Sequence, residues 1–204
     1  AAGYRRYAPG DVETLRRIAA LRGQGLSVPA AIERARETGR ASGRPSIYAA
    51  VAEAGHDAHP QVLRKTTLTA ISRAIEHEAL AHAAAPVLFA SFQRERFYRA
   101  VEHRFRRLAQ LADAALVFAE FDAVRAPEGG PVEVPIGPHD ALANEWAIII
   151  DAPGYSACLL AWEHPDPPSD DDGERRFEAI WTVDPRATRR AAQVAAALAA
   201  KTAP

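Results

Sequence analysis

The chain has 204 residues, 48% of them hydrophobic and 25% charged, with a formal net charge of −1. That balance excludes global disorder, and no apolar run reaches the roughly 18 residues that a membrane helix needs. The lone Cys158 cannot close an internal disulfide and the first residues lack an apolar signal-peptide core, so a cytoplasmic protein without a membrane partner is expected.

Charge is segregated along the chain. Residues 1–46 carry nine arginines against four carboxylates, whereas residues 120–184 carry fifteen carboxylates against three basic side chains. A basic front suits phosphates and an acidic back repels them. The run from Pro168 to Glu174 reads as a solvated loop. Methionine is absent even from position 1, so a chain that is processed, excised or missing a front end is expected.

In chain order, Asp11 caps a helix with Val12, Leu15, Ile18 and Ala19 at helical spacing, stopped by Gly23 and Gly25. Ser27 caps a second, with Pro29 in its first turn and Val28, Ala31, Ile32 and Ala35 on one side. The stretch Thr38 to Ser46, with two glycines and a proline, reads as the main linker. Beyond it, residues 47–54 form a short helix and residues 55–60 a loop. A longer helix is predicted over Gln61 to Ala84, its stripe made by Leu68, Ile71, Ile75 and Ala79. Buried strands are predicted at Pro86 to Phe92 and Ala115 to Phe121, joined by an arginine-rich amphipathic helix from Gln93 to Leu111. Residues 146–152 and 157–164 flank the turn Pro153 to Ser156 as a hairpin, residues 175–183 supply a further strand, and Asp184-Pro185 opens an alanine-rich helix. The fold class is α+β: a helical N-terminal part followed by a mixed β-sheet domain with flanking helices.

Two resemblances follow from these residues. Gly3 to Arg36 resembles the second half of the DNA-binding domain of MerR-family transcription regulators: Gly3, Tyr4, Arg5, Arg6 and Tyr7 stand at the end of the wing, and Asp11, Leu15, Ile18, Leu21, Gly25 and Ser27 in the helix pair. The resemblance implies a winged-helix remnant whose helix-turn-helix lies upstream, with Tyr4, Arg5, Arg6 and Tyr7 as phosphate-contacting residues on DNA and a homodimer as the working state. From about Val62 onward the chain resembles the DICT sensory domain, on Leu63 to Leu80, Val87 to Arg99, Ala115 to Phe121, Glu145 to His164 and Arg175 to Pro185. That implies a signal-input module and no catalytic residue set; it leaves the ligand and any cofactor unknown. The domains expected are therefore 1–38, a linker with a short helix at 39–60, and the sensory part at 61–204.

Strand alternation picks out candidates for a ligand site. Cys158, Leu160 and Trp162 share one face and Leu159, Ala161 and Glu163 the other, while Phe177, Ala179 and Trp181 oppose Glu178, Ile180 and Thr182. Glu163 and Glu178 thus have apolar companions and need partners, which Arg73, Arg94, Arg96 or Arg175 could supply. The ligand-binding set expected is Arg73, Glu76, Gln93, Tyr98, Trp162, Glu163, Glu178 and Trp181. A metal site is not expected, because His77 and His82 are five residues apart and so diverge on a helix. Cys158 reads as an inert thiol, no glycine-rich phosphate loop occurs, and no catalytic residues are assigned. The expected function is a transcription regulator whose sensory domain binds a small-molecule effector or chromophore and adjusts DNA engagement. The alternatives are an adaptor whose acidic back docks a basic partner, and a small enzyme using Glu163 and Glu178.

Overall fold

The computed structural model describes residues 46–52, 59–164 and 171–202, and in the front segment Leu15 and residues 18–23, 27, 28, 31, 32 and 35. The chain divides into two compact units, 1–44 with 165–167, and 45–164 with 168–204. In the first, Leu15, residues 18–23, Val28, Ala31, Ile32 and Ala35 are helical, and Leu21, Ala31 and Ala35 bury together against Ile18. The Ala31 N–H donates to the Ser27 carbonyl at 2.8 Å, the first turn expected of a helix beginning at Ser27. Tyr4, Arg5, Arg6 and Tyr7, expected as DNA-contacting residues, and the expected linker up to Pro45 lie outside the described residues.

The second unit is built on a mixed sheet of seven strands. Its elements in order are α1 (Ile47–Ala52), β1 (Gln61–Arg64), α2 (Lys65–His82), β2 (Val87–Ser91), α3 (Glu95–Arg99), α4 (Glu102–Ala109), β3 (Ala114–Ala119), β4 (Val132–Pro135), β5 (Glu145–Ala152), β6 (Tyr155–Glu163), β7 (Arg176–Thr182) and α5 (Pro185–Thr202). The strands lie in the order β1-β7-β6-β5-β2-β3-β4; β2, β3 and β4 run parallel and the remaining pairs antiparallel. The β5–β6 hairpin turns through Gly154, whose φ of +81° lies where a β-carbon is strained.

Helices cover both faces, which explains why the central strands are apolar throughout rather than alternating. Leu68, Ile75 and Ala79 of α2 and Phe105 and Leu108 of α4 pack on Ile148, Ile150, Leu159 and Phe177 of one face. On the other lie α1 and α5, with Ala187, Ala191 and Ala195 of α5 fully buried. The α2 stripe is therefore spent on its own sheet, so α2 belongs to the sensory unit.

Two expectations are corrected and two features were not foreseen. Gln61–Arg64 is an edge strand paired with β7, not the first turn of the long helix; four residues are too few for periodicity to decide, and pairing decides. The arginine-rich helix is two, because Val101 (φ −126°, ψ 5°) leaves helical conformation between them. Each piece is pinned by its own ring: Tyr98 edge-on to Phe121 at 5.7 Å, Phe105 edge-on to Phe92 at 5.2 Å. The edge strand β4 was not anticipated, since its central Glu133 is buried and Pro135 closes it. Asp172 and Glu174, placed in a solvated loop by their composition, sit in a short 3-10 turn and form ion pairs with Lys65 and Arg64.

Candidate functional site

The helical spacing of α2 creates two stripes. While Leu68, Ile75 and Ala79 face the core, Lys65, Thr69, Ser72, Arg73 and Glu76 recur at intervals of three and four and line a cavity of about 190 Å³. Its other walls come from the end of β2 (Phe92, Gln93), from α3 and α4 (Phe97, Arg104, Phe105) and from Trp146 at the start of β5. Phe92, Phe97 and Trp146 stay half-buried and line this concave space, with Phe92 and Trp146 also packed against the core. The Trp146 indole N–H donates to Ser72 Oγ at 3.1 Å, and its ring stands edge-on to Phe177 at 6.1 Å, which fixes this wall.

The charged groups around the cavity are paired, with one exception. Arg104 donates to both oxygens of buried Glu76 at 2.7 Å each. Lys65 bonds Asp172 and lies 4.6 Å from the centre of the Phe97 ring. Asp172 is in consequence held below the ordinary carboxylate range, chiefly by the Lys65 ammonium. Arg175 donates to Glu163 at 2.8 Å and to Gln93 at 2.8 Å, and Gln93 donates to Glu163 at 2.6 Å, a closed triangle. Burial opposes the Arg175 charge, yet the bonds to Glu163 and Asp172 prevail and hold the guanidinium more firmly protonated. Arg73 has no partner among the described residues.

Of the eight residues expected to bind a ligand, the structure brings Arg73, Glu76 and Gln93 to the cavity wall. Glu163 stands behind the wall, bonded to Gln93 and Arg175. The other four lie elsewhere. Tyr98 is wholly buried among rings beneath the Arg99 guanidinium, its hydroxyl pushed up to about 12 chiefly by burial. Trp162 and Glu178 point to the opposite face, where Tyr48 of α1 donates its hydroxyl to Glu178. Trp181 is 56% exposed. The expectation that Glu163 and Glu178 act together is corrected by the same alternation: at adjacent registers of paired strands they project through opposite sides of the sheet. Arg94 pairs with Glu120 and Arg96 lies on Phe97, so neither serves those two carboxylates.

Lys65, Ser72, Arg104, Phe97, Phe105 and Trp146 were not anticipated. The polar stripe of α2 could have shown the first two, and Trp146 is conspicuous as the one ring in an aliphatic strand. Arg104 and Phe105 reach the cavity only because α3 and α4 are separate.

On the far face, Glu145 precedes Trp146 and points the other way. It is 1% exposed and accepts from the Ser46 hydroxyl and from the Ile47 and Tyr48 N–H groups, each of those at 3.2 Å. Cys158 lies under α5, its thiol pushed up to about 11 chiefly by burial. The charge segregation of the sequence is largely consumed inside this unit: Glu133, Glu120 and Asp151 of the acidic stretch meet Arg99, Arg94 and Arg189. Among the described residues no helix is long and apolar enough to cross a membrane, and no three His, Cys, Asp or Glu side chains gather as a metal site.

Residues 45–164, more than half of the chain, match the family model described as DICT, a sensory domain in diguanylate cyclases and two-component systems. No curated protein and no solved structure matches the chain significantly.

Proposed function

Because the chain belongs to the DICT family of sensory domains, we propose that it is a non-enzymatic receiver that binds a small-molecule effector in the cavity between α2, α3–α4 and the sheet. The observation that carries this is the wall itself: half-covered aromatic rings in a concave space, braced by ion pairs that leave one arginine over. An apolar cavity of about 150 Å³ holds benzene, so 190 Å³ suits one ring with a short substituent.

The route outward runs through β5. Trp146 faces the cavity and its neighbour Glu145 grips α1, the first element after the front segment. An effector that prefers one position of Trp146 biases α1 by its differential affinity and by no more than that. The output of this proposal is MerR-type DNA binding by a cytoplasmic dimer, a reading supported by the residue pattern of Gly3 to Arg36.

Native mass spectrometry of the purified chain, before and after incubation with a small-molecule cell extract, tests the receiver. A discrete added mass is expected, lost when Ser72→Phe fills the cavity. No adduct in either preparation, or one kept by the filled variant, overturns the proposal. Light scattering that finds only monomer at tens of micromolar, where dimers of ordinary affinity persist, would overturn dimer-coupled output.

A further inference from the structure

The cavity also carries information about what it holds, an inference that rests on its being a ligand site. Four cationic side chains line it: Lys65, Arg73, Arg104 and Arg175. Three have carboxylates of their own in Asp172, Glu76 and Glu163. Arg73 alone lacks a partner among the described residues, although it lies one helical turn from both Thr69 and Glu76 on the stripe facing the space. The remaining lining carboxylate, Glu145, is turned to α1, so Arg73 is the lining cation for which no carboxylate is in place. Opposite it stand ring surfaces, with Trp146 locked by Ser72 and Phe92 set edge-on against Phe105. An apolar cavity of about 150 Å³ holds benzene, so a space of about 190 Å³ takes one ring between its walls.

We propose that the ligand is a single-ring aromatic monocarboxylate, its ring against Trp146, Phe92 and Phe105 and its carboxylate read by Arg73. A neutral guest gains no ionic contact with Arg73, and a cationic guest meets it with repulsion. A dianion exceeds the one charge available, because drawing Arg104 or Arg175 away strands Glu76, which is 4% exposed, or Glu163. Arginine also presents the planar fork that a carboxylate fits in two bonds.

Three probes of one shape separate the terms: phenylacetate, phenylacetamide and phenethylamine. Each is titrated into the 15N-labelled chain while the Trp146 indole N–H resonance, assigned through Trp146→Phe, is followed. Millimolar dissociation constants are expected for fragments this small. Phenylacetate should bind about tenfold more tightly than the amide, the scale of one charge-assisted contact, and the amine most weakly. In Arg73→Gln, an exposed helix position, that preference should fall to about twofold or less because acid binding weakens far more than amide binding, with the thermal midpoint confirming the fold. If the amide or amine moves Trp146 at concentrations equal to or below the acid, the assigned charge class is wrong while the cavity stands as a ligand site. A preference that survives Arg73→Gln removes Arg73 as its reader. If none of the three moves Trp146 at about 10 mM, well above the affinity expected of such fragments, the ligand-site reading falls and this inference with it.

Discussion

The Glu76–Arg104 pair spans the cavity floor, and removing its two partners singly should not cost the same. Glu76 is 4% exposed and takes two bonds of 2.7 Å from a guanidinium whose side chain is 25% exposed. Arg104→Ala strands a carboxylate that is almost wholly covered, and stranding a buried charge costs about 3–5 kcal/mol. Glu76→Ala strands an arginine that can swing its head towards solvent, so the cost is nearer 1–3 kcal/mol. At about 2–4 °C per kcal/mol for a domain of this size, the first variant should lose on the order of 10 °C in Tm and the second roughly half of that. Replacing both at once, Glu76→Leu with Arg104→Met, removes both charges and should lie within about 1 kcal/mol of the parent. Urea unfolding of the four proteins followed by far-ultraviolet circular dichroism compares the costs. Equal costs for the single variants, or a larger cost for Glu76→Ala, would refute the claim that burial of the carboxylate dominates.

Other consequences follow from single sites. Asp172 has its carboxyl lowered from 3.8 chiefly by Lys65, so its contribution is present above the ordinary carboxyl range and lost as pH falls through the depressed value. The stability gap between the parent and Asp172→Asn should be flat from about pH 7 to 5, close below about pH 4, and stay small because the side chain is 61% exposed. Cys158, buried and with its thiol near 11, should resist Ellman's reagent at pH 8 until denaturant is added; immediate labelling of the folded chain would refute its burial. Ala85 holds a φ of 48° and Gly154 one of +81°, so Ala85→Gly should raise stability and Gly154→Ala lower it, each by about 1 kcal/mol in thermal unfolding. Space is not the cause at Gly154, where a β-carbon would meet nothing within 4 Å, so a neutral Gly154→Ala would show that the turn relaxes freely.

The sheet was legible where burial on both sides forces continuous apolar runs. Val87–Ser91, Ala114–Ala119 and the β5–β6 hairpin fall where such runs predict them, and Asp184 marks the last helix by accepting from the Arg186 N–H at 3.0 Å. Short edge elements behaved otherwise. Gln61–Arg64 contains Val62 and Leu63 beside a strong helical stripe, and a window that includes the stripe absorbs it; only pairing with Arg176 to Ala179 identifies the strand. Glu133 of β4 is buried because Arg99, thirty-four residues earlier, meets it, a contact that no local pattern contains.

The candidate site shows how far alternation reaches and where it stops. It placed Glu163 and Glu178 on the right faces of their own strands, because the period of two is a property of the backbone. It could not compare the faces of two different strands, since that requires the register, and the observed pairing of Trp162 with Glu178 and of Glu163 with Phe177 puts the two carboxylates on opposite sides. The partner chemistry then differs as their surroundings do: Glu163, at the cavity, is held by Arg175 and Gln93, whereas Glu178 receives the Tyr48 hydroxyl from α1. The sheet itself therefore separates the ligand wall from the α1 anchor, and β5 is where they meet, with Trp146 on one side and Glu145 on the other within a single residue step. Trp146 and Glu145 therefore share one short stretch of backbone, which carries the cavity wall on one side of the sheet and holds the start of α1 on the other.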